Sequence, residues 1–263
     1  MITTTRRGTV GFDEAGAGVP VLLLHGFPLD RTLWSPQLAA PARGARLIAP
    51  DLPGFGESAR VAVPSLDEWA DWCMAFCDAL ALTRVVVAGL SMGGYLAFSL
   101  WRRHPERISG LVLADTRAGA DSDEGKAKRL AMQQMVREKG VGAVADAMIT
   151  GMVGKTTRET RPKVVAFLGE MMRGASVDGV SDALDAMRTR ADSTATLATI
   201  TVPTLIICGA EDALTPLKES EAMHLAIPDS QLGVIPAAGH ASNIEHPAAF
   251  DALLSGFLAA RIA

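Results

Sequence analysis

The strongest constraint on how this chain folds is a run of short, continuous apolar blocks alternating with helix-patterned segments. Val19–His25 (VPVLLLH), Arg46–Asp51 (RLIAPD), Val85–Gly89 (VVVAG), Leu111–Asp115 (LVLAD), Thr204–Cys208 (TLIIC) and Gln231–Pro236 (QLGVIP) lack a regular polar alternation. Strands of this kind are buried on both faces, which is the signature of a parallel sheet covered by helices on each side. Helix patterns fall between them at Thr32–Ala39, Ser65–Leu82, Tyr95–Arg103, Lys218–Ala226 and Ala248–Ala260. In the second, Leu66, Trp69, Cys73, Phe76, Cys77 and Leu80 recur at three-and-four spacing, and Ser65 with Glu68 predicts a capping box. Arg6–Gly18 reads as a leading antiparallel hairpin. The fold class is therefore α/β, a mostly parallel twisted sheet with helices on both faces.

One stretch breaks the alternation. Residues 117–193 contain no strand-like run and carry 7 of the 11 methionines. They hold 13 Lys and Arg against 11 Asp and Glu, whereas the chain as a whole has 25 against 29. We expect a helical cap inserted over the carboxyl ends of the strands, with residues 1–116 and 194–263 forming one core. Methionine stripes are more often core packing than binding surface, but a cap in that place would line any site at the sheet edge.

Several function classes drop out. A net charge of −4 builds no basic footprint, so a nucleic-acid partner is not expected. The N-terminal MITTTRRG has no apolar core of a signal peptide, and no apolar run approaches the roughly 20 residues of a spanning helix, so no membrane partner is expected. Cys73, Cys77 and Cys208 cannot make a disulfide framework; they predict a reducing, cytoplasmic setting, with Cys73 and Cys77 packing as small hydrophobes. No histidines complete a metal set, and neither a metal nor another cofactor is expected. Oligomeric state is not legible.

The chemistry is carried by Gly89-Leu90-Ser91-Met92-Gly93, which follows a buried strand directly and opens a helix. This context predicts a sharp, strained turn that presents the serine hydroxyl at the sheet's carboxyl edge, with glycines allowing close backbone packing. A serine hydroxyl needs an adjacent base, itself oriented by a third group. His240, just after the last strand, is the expected base; His246, before Pro247, is the competitor, and His25, His104 and His224 suit other roles. Asp212, after the penultimate strand, is the expected acid, with Asp115 as the alternative and Glu211 pointing elsewhere in its loop. The backbone N–H groups of Phe27 and Met92 are expected to bind the oxyanion. Trp34 is a candidate for lining the acyl pocket, with packing as its competing role.

These residues resemble the α/β-hydrolase superfamily over nearly the whole chain. The resemblance rests on His25-Gly26-Phe27-Pro28, Asp51 to Ser58 (DLPGFGES), Gly89 to Gly94, Gly209 to Pro216 (GAEDALTP) and Gly239-His240, in that order. Serine at 91 departs from the haloalkane dehalogenase branch, which has aspartate there. Leu90 and the stretch Leu111–Ala118 are similar to small esterases and 3-oxoadipate enol-lactonase-like proteins. The resemblance implies the hydrolase fold and its serine triad, and gives Asp51–Ser58 a structural role. The expected activity is cleavage of a small-molecule carboxylic ester, or alternatively ring opening of an enol-lactone or acyl-homoserine lactone by the same residues. A receptor that kept the fold and lost turnover is the reading from another class, disfavoured by the intact Ser91 and His240.

Overall fold

A computed structural model describes residues 1–262. Eight strands, β1 (Ile2–Thr5), β2 (Gly8–Gly16), β3 (Val19–Leu24), β4 (Ala45–Pro50), β5 (Val85–Leu90), β6 (Ile108–Ala114), β7 (Thr204–Gly209) and β8 (Ser230–Ile235), form one sheet in the order β1-β2-β4-β3-β5-β6-β7-β8. All pairings from β4 to β8 are parallel; β1 with β2 and β2 with β4 are antiparallel. Helices α1 (Ser35–Ala39), α2 (Leu66–Ala79), α3 (Met92–Arg103), α4 (Asp123–Lys139), α5 (Val141–Met152) and α6 (Lys155–Thr160) come first. They are followed by α7 (Pro162–Arg173), α8 (Val177–Arg188), α9 (Thr194–Leu197), α10 (Leu217–Ala226), α11 (Ser242–Glu245) and α12 (Pro247–Arg261). Helices α4 to α8 occupy the stretch between β6 and β7 that lacks strand patterning.

Successive strand residues feed two separate cores, as a two-faced sheet requires. Leu22, Leu24, Val85 and Val87 join α2 and α3 on one face, while Val21, Leu23, Val86 and Ala88 join α1 and α12 on the other. Cys73 and Cys77 are buried in the first core, where desolvation pushes the Cys77 thiol up to about 12; both stay neutral and pack as hydrophobes.

Local departures from the sequence pattern have identifiable causes. The hairpin expected over Arg6–Gly18 lies earlier: β1 turns through Arg6-Arg7 into β2, which continues unbroken to Gly16 because Phe12–Gly16 pair with β4. Ser65 Oγ accepts the Glu68 N–H as the cap predicts, but the return bond is not made, since the Glu68 carboxylate binds Arg7 at 2.7 Å. Helix α3 starts at Met92 rather than Tyr95, its first turn built on Gly93 and Gly94.

Register lines up the strand exits. Leu24 sits opposite Gly89, Leu90 opposite Ala114, Ala114 opposite Ile207, and Gly209 opposite Ile235. The loops after β3, β5, β6, β7 and β8 therefore emerge along one edge, which brings residues far apart in sequence to one place.

Candidate active site

Ser91 occupies the turn between β5 and α3 with φ 55° and ψ −110°, a left-handed conformation that a serine adopts only under constraint. The constraint is tight packing around it. A Cβ on Gly93 would stand 2.2 Å from the Leu24 carbonyl, and one on Gly89 would stand 2.2 Å from that of Gly93. The Ser91 N–H donates to the Ala114 carbonyl (2.9 Å), and the Thr116 hydroxyl donates to the Ser91 carbonyl (2.8 Å).

His240 meets Ser91 from the loop after β8. Its Nε2 accepts from Ser91 Oγ at 2.8 Å, and its Nδ1–H donates to Asp212 Oδ2 at 2.8 Å. The carboxylate can only accept, so it sets the tautomer that leaves Nε2 free to take a proton. Asp212 is held in turn: Oδ1 accepts from the Leu214 and Thr215 N–H groups (2.8 and 3.0 Å), and Oδ2 also accepts from Thr215 Oγ1 (2.6 Å). Burial opposes charge on both partners, but Asp212, with Asp115 and Glu245 adding to it, outweighs it and raises the His240 pKa above 6.5. Burial likewise pushes Asp212 up, and His240 and the Thr215 hydrogen bonds outweigh it and lower its pKa.

The alternatives are placed elsewhere. Asp115 lies behind the loops, accepting from the Gly209 N–H (2.8 Å) and from Ser242 Oγ (2.5 Å), with its pKa pushed up to about 8 by burial and then by Asp212. His246 is engaged elsewhere, its Nε2 lying 2.5 Å from Arg161 Nη2 and 3.0 Å from the Ala237 carbonyl. Glu211 turns away to accept from Thr156 N–H (2.8 Å). His25 is buried under the β3 exit, its Nδ1–H on the Gly26 carbonyl and its Nε2 accepting from Leu52 N–H, each at 2.9 Å. Asp51 is buried and ties its own loop together through the Arg31 and Glu57 N–H groups (2.9 and 2.8 Å). Trp34 departs from expectation: it does not line the cavity, because its ring is buried in the second core against Phe250, 5.9 Å between centroids. Among the described residues, the N–H groups of Phe27 and Met92 donate to no protein acceptor. Phe27 and Met92 are both buried in the first core, and Phe27 also lines the cavity.

The cavity at this edge has a volume of about 360 Å³. Ser91, His240 and Thr215 line its floor; Met132, Met148, Met152, Met187, Phe27 and Leu214 supply apolar walls; Tyr95, Arg117, Asp121, Lys128 and Arg129 form a polar side. Four of the seven methionines between β6 and β7 thus face the cavity. Sequence reading also passed over Glu245, which is fully buried and accepts from the N–H groups of Gly239 and Gly154, both at 2.8 Å. It clamps the residue before His240 to Gly154 at the start of α6, and no local motif announces it.

Asp115, Cys208 and Asp212 bring potential metal ligands within 4.8 Å of one another. Both carboxylates are already committed to protein donors, and burial pushes the Cys208 thiol up to about 12, so the set is a poor match for a cation. Among the described residues no helix is long and apolar enough to cross a membrane.

A family model described as the alpha/beta hydrolase fold matches residues 19–247. A 2-hydroxymuconate semialdehyde hydrolase from Pseudomonas sp. (strain CF600) is 32% identical, covering 94% of this chain and 89% of its own. A thermophilic esterase from Thermogutta terrifontis superposes with a TM-score of 0.94 at 40% identity, over 98% of this chain and 97% of the esterase. The enol-lactonase from Burkholderia xenovorans LB400 does so with a TM-score of 0.90 at 25% identity, over 98% of this chain and 100% of its own.

Proposed function

The chain belongs to the α/β-hydrolase family, and from that premise we propose that it hydrolyses small-molecule carboxylic esters through Ser91, His240 and Asp212. The observation that carries the reading is the unbroken relay of two 2.8 Å hydrogen bonds from Ser91 Oγ through His240 to Asp212, opening on one cavity. Names of relatives, a hydrolase, an esterase and an enol-lactonase among them, support the same class of reaction.

In this mechanism Ser91 Oγ attacks the ester carbonyl as His240 Nε2 takes its proton, and Asp212 stabilises the resulting imidazolium. The Phe27 and Met92 N–H groups, free of protein acceptors, bind the oxyanion. His240 then passes its proton to the leaving alkoxide, giving an acyl-enzyme. Water attacks that intermediate with His240 again as base, releasing the acid and restoring Ser91. No cofactor enters. Residues 117–193 act as a cap whose methionines shape the acyl pocket. The three buried free cysteines suit a reducing, cytoplasmic setting.

Lactone ring opening is the second reading, favoured by the enol-lactonase neighbour; the leaving alcohol would stay tethered to the acyl group. Proton release in a pH-stat, comparing a butyrate ester with an acyl-homoserine lactone, separates the two by their kcat/KM ratio. Ser91→Ala should abolish turnover of both. Turnover surviving in that variant would overturn the proposal.

A further inference from the structure

We propose that the polar side of the cavity is an anion subsite, so that the preferred substrate is an ester carrying a free carboxylate, held by Arg117 and Tyr95. The inference rests on the ester-hydrolase reading above, whose cavity it shares.

Asp121 is the single acidic side chain lining the cavity among the described residues, and three guanidinium groups converge on it. Arg117 Nη2 donates to Asp121 Oδ1 at 2.8 Å, Arg190 Nη1 approaches the same oxygen at 2.8 Å, and Arg129 Nε binds Oδ2. Three guanidinium groups thus share the one carboxylate that lines the cavity, while the next acidic groups, Glu219 toward Arg117 and Asp192 toward Arg190, lie outside its lining, so a bound anion would still meet positive charge there. Arg190 does not line the cavity: its Nη1 and Nη2 donate to the Met187 and Gly119 carbonyls, only its buried Nε lacks a partner, and its guanidinium covers the Tyr95 ring at 4.1 Å. Arg117 does line it. Its Nε is buried without a partner, and its Nη1 donates to no protein acceptor among the described residues. The Tyr95 hydroxyl likewise makes no protein hydrogen bond among the described residues. Tyr95 stands one helical turn beyond Ser91, and it and Arg117 line the same cavity as the nucleophile. A planar guanidinium backed by a hydroxyl matches a carboxylate. The apolar Met148, Met152 and Leu214 that line the same cavity suit a short methylene chain, which describes the half-ester of a short dicarboxylic acid.

The test compares kcat/KM for monoethyl glutarate and for ethyl hexanoate, its neutral counterpart, in a pH-stat. The wild type should prefer monoethyl glutarate. Arg117→Gln should lower that selectivity ratio about 10- to 100-fold, the range for a hydrogen bond to a charged group, chiefly through KM. Arg117→Lys should restore part of it, and Tyr95→Phe should lower it less than Arg117→Gln does. As a readout without turnover, free glutarate should slow fluorophosphonate labelling of Ser91 in the wild type and not in Arg117→Gln. Labelling also reports whether each variant is folded. No preference for monoethyl glutarate in the wild type, with ethyl hexanoate still cleaved, overturns the subsite alone, as does a ratio unchanged by Arg117→Gln. If Ser91 is not labelled and neither ester is cleaved, the ester-hydrolase reading falls and the subsite with it.

Discussion

Asp212→Asn tests the relay at its most constrained point. Oδ1 faces two backbone donors, Leu214 and Thr215 N–H, which cannot turn away. An asparagine must therefore place its carbonyl there and its NH₂ where Oδ2 now meets Thr215 Oγ1 and His240 Nδ1. Its hydrogens would then point at Nδ1, the ring proton would move to Nε2, and the imidazole could no longer accept from Ser91. The reversed amide keeps the correct tautomer only by setting NH₂ against two buried N–H groups, at about 1–3 kcal/mol for each lost bond. Either orientation also removes the charge that stabilises the imidazolium. We expect kcat to fall about 10⁴-fold, as when a triad carboxylate is amidated, which is about 5 kcal/mol of transition-state stabilisation. Single-turnover kinetics with p-nitrophenyl butyrate measures this, with circular dichroism to show that the variant is folded. A variant within tenfold of wild type, or one altered only in KM, would refute the reasoning.

Asp115→Asn should behave oppositely and keep most of the activity. In the folded protein Asp115 holds its proton up to about pH 8, against an ordinary value of 3.8, so stability falls as pH rises through that window. The asparagine variant should lose that fall, seen as a flatter Tm from pH 4 to 8; an unchanged slope would contradict it. Glu245→Gln would set an amide NH₂ against the N–H of Gly239 or Gly154. It should destabilise the fold by about 1–3 kcal/mol in urea titration, and lower kcat by loosening the loop that carries His240. Because Asp212 raises the His240 pKa and the neutral ring is the base, the acid limb of the kcat/KM profile should lie above pH 6.5. A limb at or below that value would show that Asp212 and the neighbouring carboxylates do not outweigh burial.

Much of the molecule was legible from local pattern. The apolar blocks predict a two-faced parallel sheet because every residue of such a strand must be buried on one side or the other; six of the eight strands are found where these blocks lie, although β8, at the sheet edge, leaves Gln231 and Val234 exposed. Glycines at 89 and 93 with a serine between them, at a strand-to-helix junction, specify a backbone turn, and a turn is a local property. Ser91, Asp212 and His240 could be singled out because each follows a strand and the topology delivers strand exits to one edge. What local pattern could not decide was direction and company. Trp34 and Phe27 both follow β3, yet Trp34 packs into the second core against α12 and Phe27 into the first core at the cavity, a choice that tertiary packing makes. Thirteen basic residues between β6 and β7 looked alike in sequence; only tertiary packing set Arg117, Arg129 and Arg190 around Asp121. The Glu245 clamp joins α11 to residues 6 and 91 positions away, so no sequence window contains it. The sequence by itself determined the sheet, the turn and the order of the chemical groups, because these follow from backbone geometry and burial period. The shape and charge of the cavity arose from contacts between distant segments, which only the folded chain brings together.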